Sequence, residues 1–309
     1  MQRFTNILVV SGCDRSVLEH AASLAKRDRA KLTVVQVVQH MPPEWRQFQL
    51  GDTSLNLQEL AIAECQSRLN AFTATLDQDD LRVSTRVLVG TPFLEITRDV
   101  IANQRDLVMM TAEGEGGVQK RFFGSTSLHL MRKCPCPVWV FRSTRPKKTT
   151  RILAAIDPDV EDETHESLNA TVLQLASSIA NHEDAELHVA HAWVALGEGL
   201  LRNRTSATNP QIDQYVCVIE GRVRRAVQSL VQRFADKTSE VHLVKGNPAE
   251  VIPGIVQSRE IDLLVMGTVC RTGIAGFFIG NTAEMILDEV NCSVLTVKPN
   301  GFVSPVEIE

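Results

Sequence analysis

The stretch with the most evident chemistry is GTVCRTGIAGFFIGNTAE, Gly267 to Glu284. Glycines at 267, 273, 276 and 280 make a pliable loop that runs into a helix expected to start near Gly280-Asn281-Thr282. A glycine loop feeding a helix amino terminus offers unpaired N–H groups and a positive dipole end, which is phosphate-binding chemistry in principle. Arg271 can add a charge-assisted contact. A glycine-rich surface turn is an equally good reading of the same residues. Neither a P-loop lysine nor a G-x-G-x-x-G spacing is present, so those two nucleotide motifs are excluded. Cys270 stands in the loop close to a helix dipole, which lowers a thiol pKa and makes it the better redox candidate. A small residue without special chemistry remains the preferred reading of it.

Other reactive types are dispersed. His188 and His191 fall three apart on an expected strand and so point to opposite faces, which makes them poor co-ligands. Cys134-Pro135-Cys136 is a C-x-C pair with no second ligand pair nearby, and structural thiols at a strand entrance are the favoured reading. No general base beside a nucleophile, no metal triad and no spaced pair of carboxylates emerges, so neither a catalytic residue nor a metal site is expected.

The elements that must position these residues occur twice. Gly90-Thr91-Pro92 recurs as Gly246-Asn247-Pro248, and Asp106-Leu107-Val108-Met109-Met110 as Asp262-Leu263-Leu264-Val265-Met266, both 156 residues on. Gly124-Ser125-Thr126 and Gly280-Asn281-Thr282 keep the same spacing. The chain is therefore a tandem duplication. Its halves are expected at 1–142 and 150–309, joined by the polar, Pro146-containing linker 143–149.

Each half alternates short β-branched runs with helical stripes. Phe4–Ser11, Leu32–Val38, Val83–Val89, Asp106–Thr111 and Pro137–Phe141 are expected strands in the first half. Ile152–Ile156, Leu187–Ala192, Val241–Val244, Ile261–Met266 and Val294–Val297 repeat them in the second. Helix stripes run through Val17/Leu18/Ala21/Leu24/Ala25, Leu57/Leu60/Ala61/Cys65/Leu69/Phe72/Leu76 and Leu168/Val172/Leu175/Ile179. Ser16 with Glu19 predicts a capping box, and Thr91 and Asn247 predict caps with proline at the first helical position. Five strands with intervening helices predict a doubly wound parallel sheet in each half, with helices on both faces. Ligands of such sheets sit beyond the carboxyl ends of the strands, at the switch in strand order, here the first and fourth. The fifth strand of each half would be an apolar edge, which needs a cover.

Composition narrows the class. In 309 residues, 32 basic side chains face 37 acidic ones, a net charge of -5, which argues against a general nucleic-acid or anionic-membrane binder. No apolar run approaches the ~18 residues of a membrane helix. Seven scattered cysteines do not form a secreted disulfide framework, so cytoplasmic residence is expected. Val10-Ser11-Gly12-Cys13 has the form of a lipoprotein cleavage site, but the apolar run before it is too short, and a turn after the first strand is the better reading.

The repeat, the D-L-[VL]-[VM]-M strand, the glycine loop and the cysteine-bearing segment after it resemble the universal stress protein family over essentially the whole chain. Leu130 to Pro135, Pro137-Val138-Trp139, Gly280 to Glu284 and Lys298-Pro299 make the likeness strongest to its tandem type. The resemblance implies two flavodoxin-like or adenine nucleotide alpha hydrolase-like domains related by a pseudo-twofold, whose fifth strands meet in an intramolecular dimer. It also implies a pocket for ATP or AMP, marked by G-x2-G-x9-G-[ST] and an aspartate ending the first strand. Asp157, Gly267 and Gly280 match that pattern, Cys270 and Asn281 replace its second glycine and its hydroxyl residue, and Thr282 offers a hydroxyl one place late.

The first half departs further, with Gly12 in the aspartate position, Thr111 in the first glycine position, and Glu113 and Glu115 beside the would-be phosphates. Its pocket is expected to be degenerate. The function implied is a non-enzymatic stress-response protein that holds a small ligand in its second half. A weak ATPase or adenylate-transfer enzyme and a ligand-free module for protein partners are the alternatives. Ile274, Phe277, Phe278 and Ile279 leave room for an amphipathic ligand.

Overall fold

A computed structural model describes residues 4–12, 15–50, 53–76, 79–112, 123–142, 149–158, 163–204, 208–268 and 280–307. The chain divides into two compact bodies. The first contains β1 (Asn6–Val10), α1 (Arg15–Asp28), β2 (Lys31–Val38), α2 (Pro43–Arg46), β3 (Gln47–Leu50), β4 (Thr53–Asn56) and α3 (Leu57–Thr73). It continues through β5 (Arg82–Val89), α4 (Pro92–Ala102), β6 (Leu107–Thr111), α5 (Ser125–Lys133) and β7 (Val138–Phe141). The second contains β8 (Arg151–Ala155), α6 (Glu163–Glu183), β9 (Glu186–Trp193), α7 (Glu198–Arg204) and α8 (Asn209–Phe234). β10 (Glu240–Lys245), α9 (Pro248–Ser258), β11 (Leu263–Gly267), α10 (Asn281–Glu289) and β12 (Ser293–Val297) complete it. Residues 302–307 return to the first body, where Arg98 Nε donates to the Glu307 carbonyl at 3.3 Å and Val306 is buried.

Strand pairing in the main sheet of the first body is parallel, in the order β7-β6-β1-β2-β5. The second body repeats it as β12-β11-β8-β9-β10. Each is the doubly wound α/β sheet that the alternating pattern predicts. The central strands are continuous apolar runs because helices cover both faces; Ile7, Leu8 and Val9, like Ile152, Leu153 and Ala154, are completely buried. In the second body α6 packs on α8, and α9 packs on α10. With right-handed crossovers the reversal of strand order puts these two pairs on opposite faces.

The repeated aspartate has a structural purpose. Asp106 accepts from the N–H groups of Thr5 (2.6 Å) and Asn6 (3.0 Å), tying the entrance of β6 to that of β1. Asp262 does the same with Thr150 (2.8 Å) and Arg151 (3.0 Å), tying β11 to β8. The repeated glycine is equally local. Gly90 and Gly246 lie at φ +145° and +156°, and a Cβ at either would come within 2.8 Å of Glu95 or 2.9 Å of Val251.

Several expectations need correction. α1 already begins at Arg15, so Ser16 lies within the first turn and not ahead of it, and Glu19 pairs with Arg15 (2.8 Å). Pro92 does open α4, but the Thr91 side chain makes no cap hydrogen bond, whereas Asn247 accepts from the Ala249 N–H at 3.1 Å. The buried stripe of α3 is Gln58, Cys65, Leu69 and Thr73, with Leu60 half exposed. α2, the antiparallel β3–β4 hairpin and α7 are additions within what read as connections.

Candidate functional site

The switch point of the second body lies where β8 and β11 end side by side. Their register runs from Leu263 beside Ile152 to Met266 beside Ala155, so Gly267 and Ile156 follow as neighbours and Asp157 comes next. Asp157 is held by its backbone: its N–H donates to Asn169 Oδ1 (2.9 Å), and Asn169 Nδ2 donates to its carbonyl (2.8 Å). Asn169 lies in the second turn of α6, so the first helix fixes the strand end. The half-exposed Asp157 carboxylate stands 3.9 Å from Nδ1 of the buried His191, which also lies 3.0 Å from the Ile156 carbonyl.

Across the switch point, Gly267 closes β11 and Thr268 follows, fully buried. Gly280 is the N-cap of α10, and its N–H donates to the Thr268 carbonyl at 3.0 Å. The first body has the same closure, Gly124 N–H to the Ala112 carbonyl at 3.1 Å, at the N-cap of α5. The two loops therefore leave and rejoin at matched points. Cys270 and Arg271, which sequence places in the pocket, lie outside the described residues, as do Ile274, Phe277, Phe278 and Ile279. Asn281 and Thr282 form the exposed first turn of α10, whose opening N–H groups have no intrahelical acceptor by helix geometry.

Three residues around the site were not assigned to it from the sequence. Lys298, one residue beyond β12 and buried, donates through Nζ to Thr268 Oγ1 at 2.6 Å, placing a cation under the root of the loop. Asn169 and His191 come from other elements, and only the register of β8 with β9 brings His191 to Asp157. Lys298 alone had a cue, as a charged residue directly after an apolar strand end. Gly267 also has a packing reason: a Cβ there would meet Leu168 Cδ2 at 2.7 Å.

The first body does not offer the same set. Gly12 occupies the aspartate position, in the left-handed region at φ +94°, and the buried Thr111 occupies the position of Gly267. Glu113 and Glu115 lie outside the described residues. Cys134 and Cys136 are buried with their sulfurs 3.5 Å apart, and hydrogen bonding between them, then burial, pushes the Cys136 thiol upward. That is thiol chemistry held quiet.

The sequence pattern of the Universal stress protein family matches residues 4–142 and again 148–298. The chain is 33% identical over 224 residues to universal stress protein E of Salmonella typhi, covering 71% of this chain and 69% of that one. It is 23% identical to the Photorhabdus laumondii universal stress protein E over 99% of both chains. Among solved structures, a functionally unknown protein of Pseudomonas aeruginosa PAO1 superposes with a TM-score of 0.74 at 25% identity, covering 97% of this chain and 94% of that one.

Proposed function

The chain belongs to the universal stress protein family, carrying its domain twice, and from that premise we propose that the second body is the ligand-binding half of a non-enzymatic, cytoplasmic stress-response protein. An adenine nucleotide such as ATP or AMP is the first candidate ligand. The observation that carries the reading is the convergence at one switch point of Asp157, the α10 amino terminus at Gly280 and the buried Lys298. An anion in the crevice would meet the helix dipole and a lysine beneath it, while Asp157 would accept from ribose hydroxyls or the base. Gly267, Cys270, Arg271, Asn281 and Thr282 complete the proposed lining. The first body serves as a structural partner in an intramolecular dimer, and joining the halves in one chain raises their effective concentration.

Isothermal titration of the native chain with ATP, set beside Asp157→Ala, tests the reading. The expected result is one site on the native chain and affinity at least tenfold weaker in the variant. An absence of heat from both would eliminate the nucleotide, and phosphate release above background would restore the ATPase alternative.

A further inference from the structure

At the opposite end of the second sheet, where β9 and β10 begin, a different chemistry is assembled. The register sets Glu240 beside His188, and the pleat puts Glu186, His188, Glu240 and His242 on one face. His188 Nδ1 lies 3.1 Å from His242 Nε2 and 3.8 Å from Glu240 Oε2. One ligand atom from each of these three residues falls within 4.8 Å of the others. Two nitrogens bound to one tetrahedral ion at 2.0–2.1 Å stand about 3.3 Å apart, so the pair is already near ligand spacing. Both imidazoles are nearly buried, while Glu240 stays about 41% exposed, leaving a route for an ion from solvent.

A second observation points to a ligand. His188 Nε2 is buried and makes no hydrogen bond, with the Glu186 carboxylate standing off at 3.7 Å. Without an ion, one ring must donate to the other through the 3.1 Å contact. If an ion took Nδ1 of His188 and Nε2 of His242, the ring protons would sit on the far nitrogens. Those face Glu186 (3.7 Å) and Glu240 Oε1 (3.6 Å), beyond hydrogen-bond reach as they stand, and a small approach of the exposed Glu186 would complete the carboxylate–histidine–metal arrangement that orients a ligating imidazole. Neutral rings need lose no proton for this, only exchange tautomers. The surrounding cations are already engaged: Arg259 donates to Glu240 Oε1 (2.7 Å), and Arg151 stands 3.5 Å from Glu186.

The first body shows what the same place holds when it is closed. Thr33 pairs in register with Ser84 as His188 does with Glu240, and Arg86 stands 156 residues before His242. There a buried cation is built in: Arg105 donates to Thr33 Oγ1 (2.8 Å) and Asn6 Oδ1 (2.7 Å), and pairs with the buried Asp99 at 3.0 Å. In the second body the positions of Asp99 and Arg105 are Ile255 and Ile261, so this internal charge pair is gone and two imidazoles and a carboxylate face one another instead.

We propose that His188, Glu240 and His242 form a binding site for a zinc-class divalent transition cation, with Glu186 as the outer-shell partner of His188 and water completing the coordination. Two imidazoles and one carboxylate suit zinc or cobalt and do not suit magnesium, which prefers oxygen ligands. The site lies at the strand starts, remote from the nucleotide crevice at the strand ends, and stands or falls independently of it.

The test is Co2+ titration of the chelator-stripped full chain, followed by visible absorption and metal analysis. The expected result is one cobalt per chain with ligand-field bands and no thiolate charge-transfer band, displaced by Zn2+ but not by Mg2+. His188→Gln/His242→Gln should abolish it with the circular dichroism unchanged. The surface variant Glu240→Gln, which spares the buried rings, should weaken it at least tenfold, and Glu186→Gln by about 10–100-fold. Heat on ATP addition should be the same in all four proteins. No uptake by the native chain, a thiolate band, or equal uptake by the Glu240→Gln and double-histidine variants would overturn the proposal.

Discussion

Single side chains separate the two copies of the domain more than their backbones do. Asp99 is buried in the first body between Arg86 (2.7 Å) and Arg105 (3.0 Å), and Arg105 is itself nearly buried. Removing one member of such a cluster leaves an uncompensated charge, whereas replacing the charged core with apolar groups is often neutral. Asp99→Ile should therefore destabilise the chain by about 3–5 kcal/mol. Asp99→Ile combined with Arg105→Ile, which copies Ile255 and Ile261, should recover most of that loss. Urea denaturation of the two variants checks this, and equal losses would show that the ion pair is not what is being broken. Gly267 teaches a related lesson: it matches a nucleotide-site glycine, yet its place against Leu168 gives it a reason to be glycine with no ligand at all.

Between elements, the α4–α5 packing of the first body is sensitive to protons. His129 of α5 stacks on Phe93 of α4 with ring centroids 4.3 Å apart, and Lys133 lies over the same ring. Burial, then the neighbouring Lys133 and Arg132, lowers the His129 pKa below its usual 6.5. The folded state thus favours the neutral ring. That contribution to stability is complete above the ordinary histidine value and is lost as pH falls through the lowered one. Acidification from about pH 7.5 to pH 5 should therefore cost the native chain more than His129→Gln, with the ordinary histidine pKa bounding the window. Parallel profiles of unfolding midpoint against pH would refute it.

The elements themselves were largely legible in advance. All ten strands of the two sheets stand within a residue or two of their expected ends: the central ones because a strand buried on both faces writes an unbroken apolar run, the more exposed edge strands β5 and β10 because β-branched residues mark them. α3 was misjudged because its buried face includes Gln58 and Thr73. Gln58 earns its place by accepting from the Met41 N–H (2.8 Å), a partner that no helical period reveals. The site was legible only in part for the same reason. Asp157, Gly267 and Gly280 lie in local patterns, whereas His191, Lys298 and His242 reach their neighbours through strand pairing and Asn169 reaches Asp157 from helix α6.

At the scale of the whole molecule, duplication kept the fold while letting chemistry diverge. Both copies retain the aspartate clamp and the loop closure at the N-cap glycine. Among the described residues, only the second has an aspartate at its switch point, and only the second has the histidine cluster. The bodies are also not simple consecutive segments, since residues 302–307 belong with the first. Deleting the chain beyond Gly301 should thus loosen the first body and spare the second. Hydrogen exchange should rise in peptides of α4, which carries Arg98, and stay unchanged in α9; the reverse pattern would contradict the assignment. That return also bears on how the protein is made. A nascent chain that has cleared the ribosome exit as far as β7 has every strand of its first sheet but still lacks a piece that finishes it. The first body can collapse early, but its contacts with residues 302–307 form only after the second has been translated, so the half synthesised first receives its last segment last.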